Sequence, residues 1–480
     1  MSEVGLREAV RRMRARGIDE GAVRVFANYY RQLEAGASGT IPESTIEPLA
    51  GLPVLAGIAV NDAERAEALR RVVIVKLNGG LGTSMGLDGA KSALAVRDGL
   101  TFLDVIARQV LALRERYAAP LPILFMNSFH TQAETDAILA AYPQLAVEGL
   151  PLGFVQSAEP KLRADDLSPV DWPADPELQW CPPGHGEVYL SLQRTGLLDA
   201  LRARGIRYAF LSNADNLGAT CDPDIAAWLL REQAPYLAEV CERTVNDRKG
   251  GHLARRRSDG RTVLRDNAMV VPGEEHFFAD ETRHPTFHAN NLWVDLDVVA
   301  GLLADRDGLL GLPIIVNHKT VDPTDRASTQ VIQVECAMGT AIEAIDGSRA
   351  MLVPRSRFRP VKTTNELTLV RSDLFRFDSD WQILATTDRP EPLVDLGPQF
   401  SLVPDYERRF PAGVPSLREC TSLRVSGDVV FGGGVIARGD VLVQGPDGQS
   451  GPGGAPAGTG SALVVAEDTV LGAPTAGTDG

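Results

Sequence analysis

A buried strand that runs directly into a glycine-rich segment is the feature that most limits what this chain can fold into. Residues 72–75 read VVIV, the continuous β-branched run of a strand covered on both faces. Glycines allow left-handed turns and close approach of the backbone to a ligand, and successive backbone N–H groups can form an anion-binding nest. The pattern predicts a phosphate-binding loop rather than a glycine-rich surface turn, because a lysine closes a segment with five glycines: Gly79, Gly80, Gly82, Gly86, Gly89 and then Lys91.

The spacing within this segment differs from that of the two commonest phosphate loops. A P-loop needs Gly-Lys-Ser/Thr in direct succession, whereas Ala90 separates Gly89 from Lys91. A dinucleotide fingerprint that begins at Gly80 would need its third glycine where Met85 stands. Hydride transfer with a dinucleotide cofactor is therefore the least expected activity.

Strand and helix patterns alternate after the loop. Such alternation predicts an α/β fold with a mostly parallel mixed sheet that is covered by helices and binds ligands at the carboxyl ends of its strands. We expect Thr131 and Glu134 to form the capping box of a helix that ends at Ala141. A helix is also predicted over 196–203, and helical spacing over 6–33 places many arginines on a solvated face. The predicted strands lie at 72–75, 123–126, 208–211, 314–316 and 351–353.

Charge and cysteine content exclude several classes of protein. A formal net charge of −15 argues against nucleic acid or an anionic membrane as partner. An acidic protein that binds phosphate must concentrate positive charge locally, and Lys91, His185 and Lys362 are the candidates. The cysteines are odd in number, five, without a Cys-x-x-Cys pair, so neither a disulfide framework nor a structural zinc site is predicted. With no apolar run of membrane-spanning length, we expect a protein of the reducing cytoplasm.

Residues 77–92, LNGGLGTSMGLDGAKS, resemble the nucleotide-binding signature of the eukaryotic-type UTP–glucose-1-phosphate uridylyltransferases. That family typically reads LNGGLGTSMGCxGPKS, so Leu87 replaces the usual Cys and Ala90 the usual Pro. The resemblance extends over about 23–443. It continues in order through FMNSFHT (125–131), FVQSAEPKL (154–162), WCPPGHGEVY (180–189), FLSNADNLGAT (210–220), NNLWVDL (290–296) and VPRSRFRPVKTTNEL (353–367).

The resemblance implies a nucleotidyltransferase with a Rossmann-like core and a small C-terminal β-solenoid domain. It implies synthesis of UDP-glucose and pyrophosphate from UTP and glucose 1-phosphate by Mg²⁺-assisted in-line attack on the α-phosphate. We divide the chain into an N-terminal helical segment (1–50), a catalytic domain (51–395) and a C-terminal domain (396–480). In the last, 423–443 alternates apolar residues with Gly and Asp, and 445–460 has the composition of a linker. In the family the solenoid often mediates assembly, so a homo-oligomer through this domain is compatible with the resemblance.

Several candidate residues have structural alternatives that the sequence leaves open. Asp215 follows a predicted strand, where it could bind Mg²⁺ or cap a turn. A lone histidine such as His185 is more often structural than functional. Gln156 has the donor and acceptor that suit uracil, but it could equally be a surface residue. Lys362 could be an exposed strand lysine. His284 and His288 have metal-ligand spacing, yet Pro285 makes a helix there unfavourable.

The resemblance assigns roles to fifteen positions. Lys91 and Lys362 are implied to be catalytic, and Asp215 to bind Mg²⁺. UTP is implied to contact Leu77, Asn78, Gly79, Gly80, Met126, Gln156, Gly184, Asn213 and Asp215. The sugar phosphate is implied to contact His185, Asn213, Asn290, Asn291, Phe358 and Lys362.

Two other functions remain as alternatives. One is a pyrophosphorylase for another sugar 1-phosphate, such as galactose or N-acetylglucosamine; the other is a non-catalytic nucleotide-sugar sensor. A sensor would be expected to lose Lys91, Asp215 or Lys362, and all three residue types are present.

Overall fold

The computed structural model describes residues 2–243, 247, 250–446 and 462–472. The α-helices of these residues are α1 (Ser2–Ala15), α2 (Glu20–Glu34), α3 (Asp62–Leu69), α4 (Phe102–Tyr117), α5 (Gln132–Leu139), α6 (Val188–Arg194), α7 (Leu197–Ala203), α8 (Pro223–Glu232), α9 (Glu275–Phe278), α10 (Leu296–Asp305), α11 (Ala341–Ala344), α12 (Thr364–Arg371) and α13 (Val403–Arg409).

The strands are β1 (Ile46–Pro48), β2 (Val72–Asn78), β3 (Ala95–Arg97), β4 (Leu100–Thr101), β5 (Ile123–Asn127), β6 (Gly153–Val155), β7 (Glu159–Pro160), β8 (Leu162–Arg163), β9 (Trp180–Cys181), β10 (Tyr208–Asn213), β11 (Tyr236–Glu242), β12 (His252–Arg256), β13 (Thr262–Arg265), β14 (Thr286–Asp295), β15 (Ile315–Thr320), β16 (Gln330–Glu335), β17 (Arg349–Leu352), β18 (Phe375–Phe377), β19 (Ile383–Ala385), β20 (Leu393–Asp395), β21 (Ser416–Ser426), β22 (Val429–Phe431), β23 (Ile436–Gln444), β24 (Leu463–Val465) and β25 (Val470–Leu471).

A seven-stranded mixed sheet organises the fold, with strand order β17-β11-β14-β10-β2-β5-β6. Neighbouring strands run parallel except for β14, which is antiparallel to both β10 and β11. The predicted α/β fold with a mostly parallel sheet is therefore confirmed. The carboxyl ends of β2, β5 and β10 lie at the same edge of the sheet, where ligands bind in folds of this kind.

Four of the five predicted strands belong to this sheet, within β2, β5, β10 and β17. The strand predicted at 314–316 corresponds to β15, which belongs to a different sheet. There β15 pairs antiparallel with β16, and β16 pairs antiparallel with β8. The apolar run there continues into the exposed His318 and Lys319, which a buried central strand would not carry. Both β11 and β14 were missed as strands of the main sheet, although each is mostly buried.

The N-terminal helical segment is two helices rather than one. Helix α1 ends at a turn in which Gly17 has a φ of +78° and the Ile18 N–H donates to the Met13 carbonyl. This is a Schellman-type end that glycine permits without steric cost. The side chain of Asp19 then accepts from the Gly21 N–H and begins α2. Helical periodicity alone does not reveal such a break, because both helices contribute apolar side chains to the same cluster of the core.

The predicted capping box of Thr131 and Glu134 is wrong. Helix α5 begins after Thr131 and ends at Leu139, but the Thr131 side chain makes no cap hydrogen bond. Its Oγ1 instead accepts from the Ser128 N–H at 3.0 Å. The Glu134 carboxylate points away from its helix and accepts from the Ala90 N–H at 2.7 Å. A long-range partner in the glycine-rich segment therefore displaces the local cap.

Alternation along the central strands divides the core into two layers, because successive side chains of a strand lie on opposite faces of its sheet. One face carries Ile74 and Phe210 and packs on α3, α4, α8 and the C-terminal strands. The opposite face carries Val75 and Leu211 and packs on α1, α2, α6, α7 and α10. The N-terminal helices and the C-terminal strands thus belong to different clusters of the core.

The C-terminal residues that the structure describes form parallel strands, in the order β20-β21-β23-β25, with β22 paired to β24. The linker predicted over 445–460 falls mostly outside the described residues. All five cysteines are buried and free. Across the described ranges, no helix is both long and apolar enough to cross a membrane.

Candidate active site

A cavity of about 260 Å³ opens at the carboxyl ends of β2, β5 and β10. It brings together segments that lie far apart in the sequence. Twelve of the fifteen predicted site residues line it: Leu77, Asn78, Gly79, Gly80, Lys91, Met126, Gln156, Gly184, His185, Asn213, Asp215 and Lys362. The lining also includes Ser92, Pro182 and Ala214, for which the sequence analysis assigned no role.

The glycine-rich segment closes on itself above β2. The Lys91 N–H donates to the Gly80 carbonyl at 3.2 Å, and Leu81 and Ala90 form an isolated β-bridge. A Cβ on Gly89 would lie 2.4 Å from Glu134 Oε2, so a larger residue there would displace this carboxylate. Because Ala90 stands where the resembling family has proline, its N–H is available to bind Glu134, a hydrogen bond that proline cannot donate.

Two lysines meet on one carboxylate oxygen at the centre of the cavity. Lys91 Nζ and Lys362 Nζ each lie 2.8 Å from Asp215 Oδ2. The partners are separated by 124 and 147 residues in the chain. The Val361 N–H donates to the Asp215 carbonyl, which fixes the segment carrying Lys362 beside the turn after β10. Thr363 and Glu366 then form a capping box that begins α12 immediately after Lys362.

The Asp215 carboxylate is ionised although its side chain is only 13% exposed. Burial acts to raise its pKa, but the charges and hydrogen bonds of Lys362 and Lys91 outweigh burial and lower the pKa. Its second oxygen, Oδ1, is buried and has no hydrogen-bond partner among the described residues. A carboxylate oxygen without a hydrogen-bond partner in a cavity can bind a divalent metal ion. Mg²⁺, for example, usually binds only one or two protein carboxylates. The described residues contain no cluster of three or more His, Cys, Asp or Glu side chains that could hold a metal.

A buried lysine, Lys76, supports this turn from below. Its Nζ donates to Ser212 Oγ at 2.9 Å and to the Ala219 carbonyl at 2.6 Å, so it ties β2 to both ends of the turn that carries Asp215. Burial, together with the charge of Arg357, lowers the pKa of Lys76 to about 7. The sequence indicates this buried role, because Lys76 stands inside the apolar run VVIVKLN.

His185 enters the cavity as a neutral hydrogen-bond donor. The Met338 N–H donates to Nδ1 at 3.0 Å, which leaves the proton on Nε2. Burial, and to a smaller extent the charge of Lys362, lowers the pKa of His185 to about 4. The backbone turns into this residue at Gly184, where φ is +84° and a Cβ would lie 2.5 Å from the Cys336 carbonyl oxygen.

We expect His185 to cause no step in the pH–rate profile between pH 5 and 8, because its pKa of about 4 keeps it neutral throughout that range. His185→Gln should lower turnover by about tenfold or less, the scale of one lost neutral hydrogen bond, and leave the profile's shape unchanged. Steady-state rates of both proteins across this range provide the measurement. A step near pH 6.5 that disappears in the variant would contradict the neutral assignment.

Gln156 lies against Gly79 at the other end of the cavity. Leu77 and Met126, the predicted base-contacting residues of β2 and β5, are register partners in the sheet. A Cβ on Gly79 would lie 2.6 Å from Gln156 Nε2, so the amide occupies space that only glycine leaves. Two apolar side chains and one amide therefore line this part of the cavity, a combination that suits a planar base with donor and acceptor groups.

Gly79→Ala is expected to displace the Gln156 amide and raise the KM for a uridine nucleotide by about 3- to 10-fold, the range of one hydrogen bond. Turnover at saturation should change less than the KM, because the two lysines are untouched. Gly57→Ala is the matched control, since a Cβ there meets nothing within 4 Å. An unchanged KM in the Gly79 variant would exclude Gln156 from base binding.

Three predicted sugar-phosphate residues do not line this cavity: Asn290, Asn291 and Phe358. Asn291 is fully buried, and its Nδ2 donates to Glu239 Oε2 at 3.0 Å. Phe358 packs edge-on against Phe287, with ring centroids 4.7 Å apart. Asn290 has a φ of +56° and is half-buried, so of the paired asparagines it is the one whose side chain is not committed to the core.

The sequence analysis missed the buried ion pair that holds Asn291. Arg357 donates to both oxygens of Glu239 at 2.6 and 2.7 Å, and the Trp293 N–H donates to the same carboxylate at 2.9 Å. Glu239 is fully buried in β11. A glutamate inside the otherwise apolar run YLAEVC was the available signal, because a buried charge requires a partner.

Comparison with known proteins gives consistent matches. The profile of the family described as UTP–glucose-1-phosphate uridylyltransferase matches residues 23–438. A protein of that name from Solanum tuberosum is 39% identical over 382 residues, 79% of this chain and 78% of the relative. One from Saccharomyces cerevisiae is 39% identical over 77% of this chain and 73% of its own length.

Solved structures agree over nearly the whole chain. A UDP-glucose phosphorylase from Trypanosoma brucei superposes with a TM-score of 0.87 at 39% identity, covering 97% of this chain and 98% of that one. A mutant UDP-glucose pyrophosphorylase from Leishmania major, solved in complex with UDP-glucose, has a TM-score of 0.88 at 37% identity with the same coverage.

Proposed function

This chain belongs to the UTP–glucose-1-phosphate uridylyltransferase family, and we propose that Lys91, Lys362 and Asp215 carry its reaction. It is an enzyme that makes UDP-glucose and pyrophosphate from UTP and glucose 1-phosphate. The observation that carries the proposal is the meeting of both lysines on one carboxylate oxygen of Asp215, inside the cavity that Gln156, Leu77 and Met126 also line.

The charge arrangement suits transfer at a phosphorus atom. Because both Nζ atoms lie 2.8 Å from the same oxygen, they are close enough to contact neighbouring phosphate oxygens together. The transfer of a nucleotidyl group depends on positioning and charge neutralisation more than on covalent help from the protein. Lys91, at the end of the glycine-rich segment, neutralises the triphosphate and the departing pyrophosphate. Lys362 neutralises the attacking phosphate and the α-phosphoryl oxygens.

The other cavity residues orient the two substrates. Gln156, Leu77 and Met126 hold the uracil, and backbone N–H groups of Gly79 and Gly80 bind phosphate oxygens. The Nε2–H of His185 donates to the sugar phosphate, and Asn213 lies between the two substrates. The phosphate nucleophile is already an anion near neutral pH, so the reaction requires no general base.

The family generally uses a divalent metal ion, and we propose Mg²⁺ on Asp215. The orphaned Oδ1 supports Asp215 as the ligand. When bound, Mg²⁺ supplies two positive charges that neutralise phosphate oxygens. Asp215 also keeps Lys91 and Lys362 oriented toward the centre of the cavity.

For the sugar subsite we propose Asn290 and Phe358, as the resemblance implies. Phe358 directly follows Arg357 of the Glu239 ion pair in the chain, and Asn290 directly precedes Asn291, which binds Glu239. Asn291 and Arg357 support that region from the buried side. The relatives are named for glucose 1-phosphate, so a different sugar 1-phosphate is not favoured, and neither is a non-catalytic sensor.

We propose further that the parallel C-terminal strands are an abbreviated β-solenoid within a domain over 396–480, separate from a catalytic domain over 51–395. The parallel pairing of β20, β21, β23 and β25 supports the solenoid. Assembly of copies through this domain remains a proposal. The five free, buried thiols support a reducing compartment such as the cytoplasm.

The direct test is to incubate the purified protein with UTP and glucose 1-phosphate after removal of divalent ions, and to measure pyrophosphate as Mg²⁺ is added back. Activity should require the ion, and galactose or N-acetylglucosamine 1-phosphate should be poorer substrates. Replacing UTP by ATP, TTP or GTP tests base selection. Absence of pyrophosphate with UTP, glucose 1-phosphate and Mg²⁺ would refute the proposed function.

A further inference from the structure

We propose that a second cavity, on the opposite side of the loop over 182–187 from the substrate cavity, is a regulatory site for an uncharged aromatic molecule. The cavity measures about 400 Å³ and lies between α2, α6, α10 and the segment over 306–313. Here it is termed the rear cavity. The regulatory part rests on the proposed function, because it assumes that Gly184 and His185 contact substrate.

One loop forms the wall between the two cavities, and its residues divide between them. Pro182, Gly184 and His185 line the substrate cavity. Pro183, Gly186 and Glu187 line the rear cavity. The wall is therefore one loop thick, and a molecule seated in the rear cavity would contact the residues that flank His185.

The wall is held by the residues that follow β16. The Gly186 N–H donates to the Cys336 carbonyl at 2.9 Å, and the Cys336 N–H donates to the Pro183 carbonyl at 3.1 Å. Two residues later, the Met338 N–H binds His185 Nδ1. Cys336 also lines the rear cavity. One short segment thus contacts the rear cavity and also sets the position and tautomer of His185.

The lining of the rear cavity indicates the chemistry of its ligand. Side chains such as Val25, Leu190 and Leu303 form an apolar surface. Arg306 is exposed, so its charge stays in water, and it donates to the Leu310 carbonyl at 2.9 Å. The buried Glu187 accepts from the Ser157 N–H at 2.8 Å and lies 3.6 Å from Arg194. An uncharged ligand therefore fits the apolar part of the lining, because a charge buried against apolar side chains would lack a partner.

The size and the polar groups narrow the ligand further. A volume of about 400 Å³ lies within the ~300–1,000 Å³ range of small-molecule sites. The amides of Asn28 and Gln32 lie on one side, bonded to each other at 2.6 Å, and provide a polar edge beside the apolar wall. An aromatic molecule of one or two rings with a single polar group matches this lining.

Indole is a suitable probe, since it is an uncharged two-ring aromatic with one N–H donor. Addition of millimolar indole should raise the Tm of the full-length protein by about 1–2 °C through preferential binding to the folded state. It should also change the KM for UTP or glucose 1-phosphate by about fivefold or more, the usual scale of coupling between sites. By linkage, UDP-glucose should alter the affinity for indole by the same factor as indole alters that for UDP-glucose.

Variants that fill the rear cavity test whether indole binds there. Val25→Phe and Leu309→Phe replace partly exposed residues of the lining, so each should fold and lose the Tm shift with indole. Val4→Phe is the matched control, because Val4 is 63% exposed on α1 and outside this cavity. The control should keep both the Tm shift and the kinetic effect.

Three results would overturn the proposal. One is the absence of a Tm shift with indole, and another is an equal shift in the filled variants. A shift that leaves both KM values and kcat unchanged would refute the regulatory role. The Tm measurement does not depend on activity, so failure of the proposed function would appear separately, as a lack of pyrophosphate release in the untreated protein.

Discussion

Replacing Lys91 or Lys362 with alanine is expected to lower kcat by about 10²–10³, the cost of losing one preorganised charge in a catalytic site. Both ammonium groups lie 2.8 Å from Asp215 Oδ2, and among the described residues that line the cavity no other lysine or arginine could replace either charge. Loss of either leaves a developing negative charge on the phosphate oxygens without its partner. The measurement is steady-state release of pyrophosphate at saturating UTP, glucose 1-phosphate and Mg²⁺.

Two further variants separate this effect from general damage. Lys319→Ala removes an exposed lysine of β15 outside the substrate cavity and should retain wild-type turnover. Lys362→Arg retains the charge but changes its geometry, so it should fall between the wild type and Lys362→Ala. Thermal melts of each protein establish that it is folded. Full turnover in a folded Lys91→Ala or Lys362→Ala protein would contradict the assigned role.

Removing Glu239 is expected to lower the free energy of unfolding by about 3–5 kcal/mol, as when one partner of a buried ion pair is lost. Its carboxylate accepts from Arg357 twice, from Asn291 and from Trp293. In Glu239→Ala, the Arg357 guanidinium, whose side chain is only 7% exposed, would lose both short hydrogen bonds to this carboxylate and keep the longer ionic contact with Asp222 at 3.4 Å. Urea unfolding followed by circular dichroism gives the difference.

The double variant Glu239→Leu with Arg357→Met provides the sharper comparison. It should be less destabilised than Glu239→Ala, because removing both partners leaves, of the charges in this network, only the carboxylate of Asp222, which is 21% exposed. Glu67→Ala is the surface control: its partner Arg71 is half-exposed, so the loss should be at most about 1 kcal/mol. A Glu239→Ala protein as stable as this control would show that the pair is not a structural requirement.

Local patterns were sufficient to find β2, β5 and β10, and the family resemblance supplied most of the residues that line the cavity. The strand over 72–75, the glycine-rich segment after it and the Asn-Ala-Asp turn after β10 follow from β-branched continuity, glycine content and position after a strand. Sheet pairing then places the ends of β2, β5 and β10 at one edge. That is why twelve residues chosen from separate motifs line the same cavity.

Local sequence patterns gave wrong or incomplete predictions where a residue far away in the chain binds the side chain in question. Thr131 and Glu134 have the spacing of a capping box, yet Glu134 binds the Ala90 N–H, which is 44 residues away. Asn290 and Asn291 are equivalent in the sequence, and only the buried Glu239 determines that Asn291 faces the core. Helical spacing over 6–33 does not show where α1 ends, which the φ of +78° at Gly17 does.

By itself, the sequence determined the fold class, the family resemblance and the residue types that reach the cavity, because these depend on local periodicity and on short motifs. Only the tertiary structure decided that Lys91 and Lys362 share one oxygen of Asp215, that His185 carries its proton on Nε2, and that one loop separates two cavities. The physical reason is that hydrogen-bond partners and burial depend on which segments pack together, and neither is a property of the local sequence.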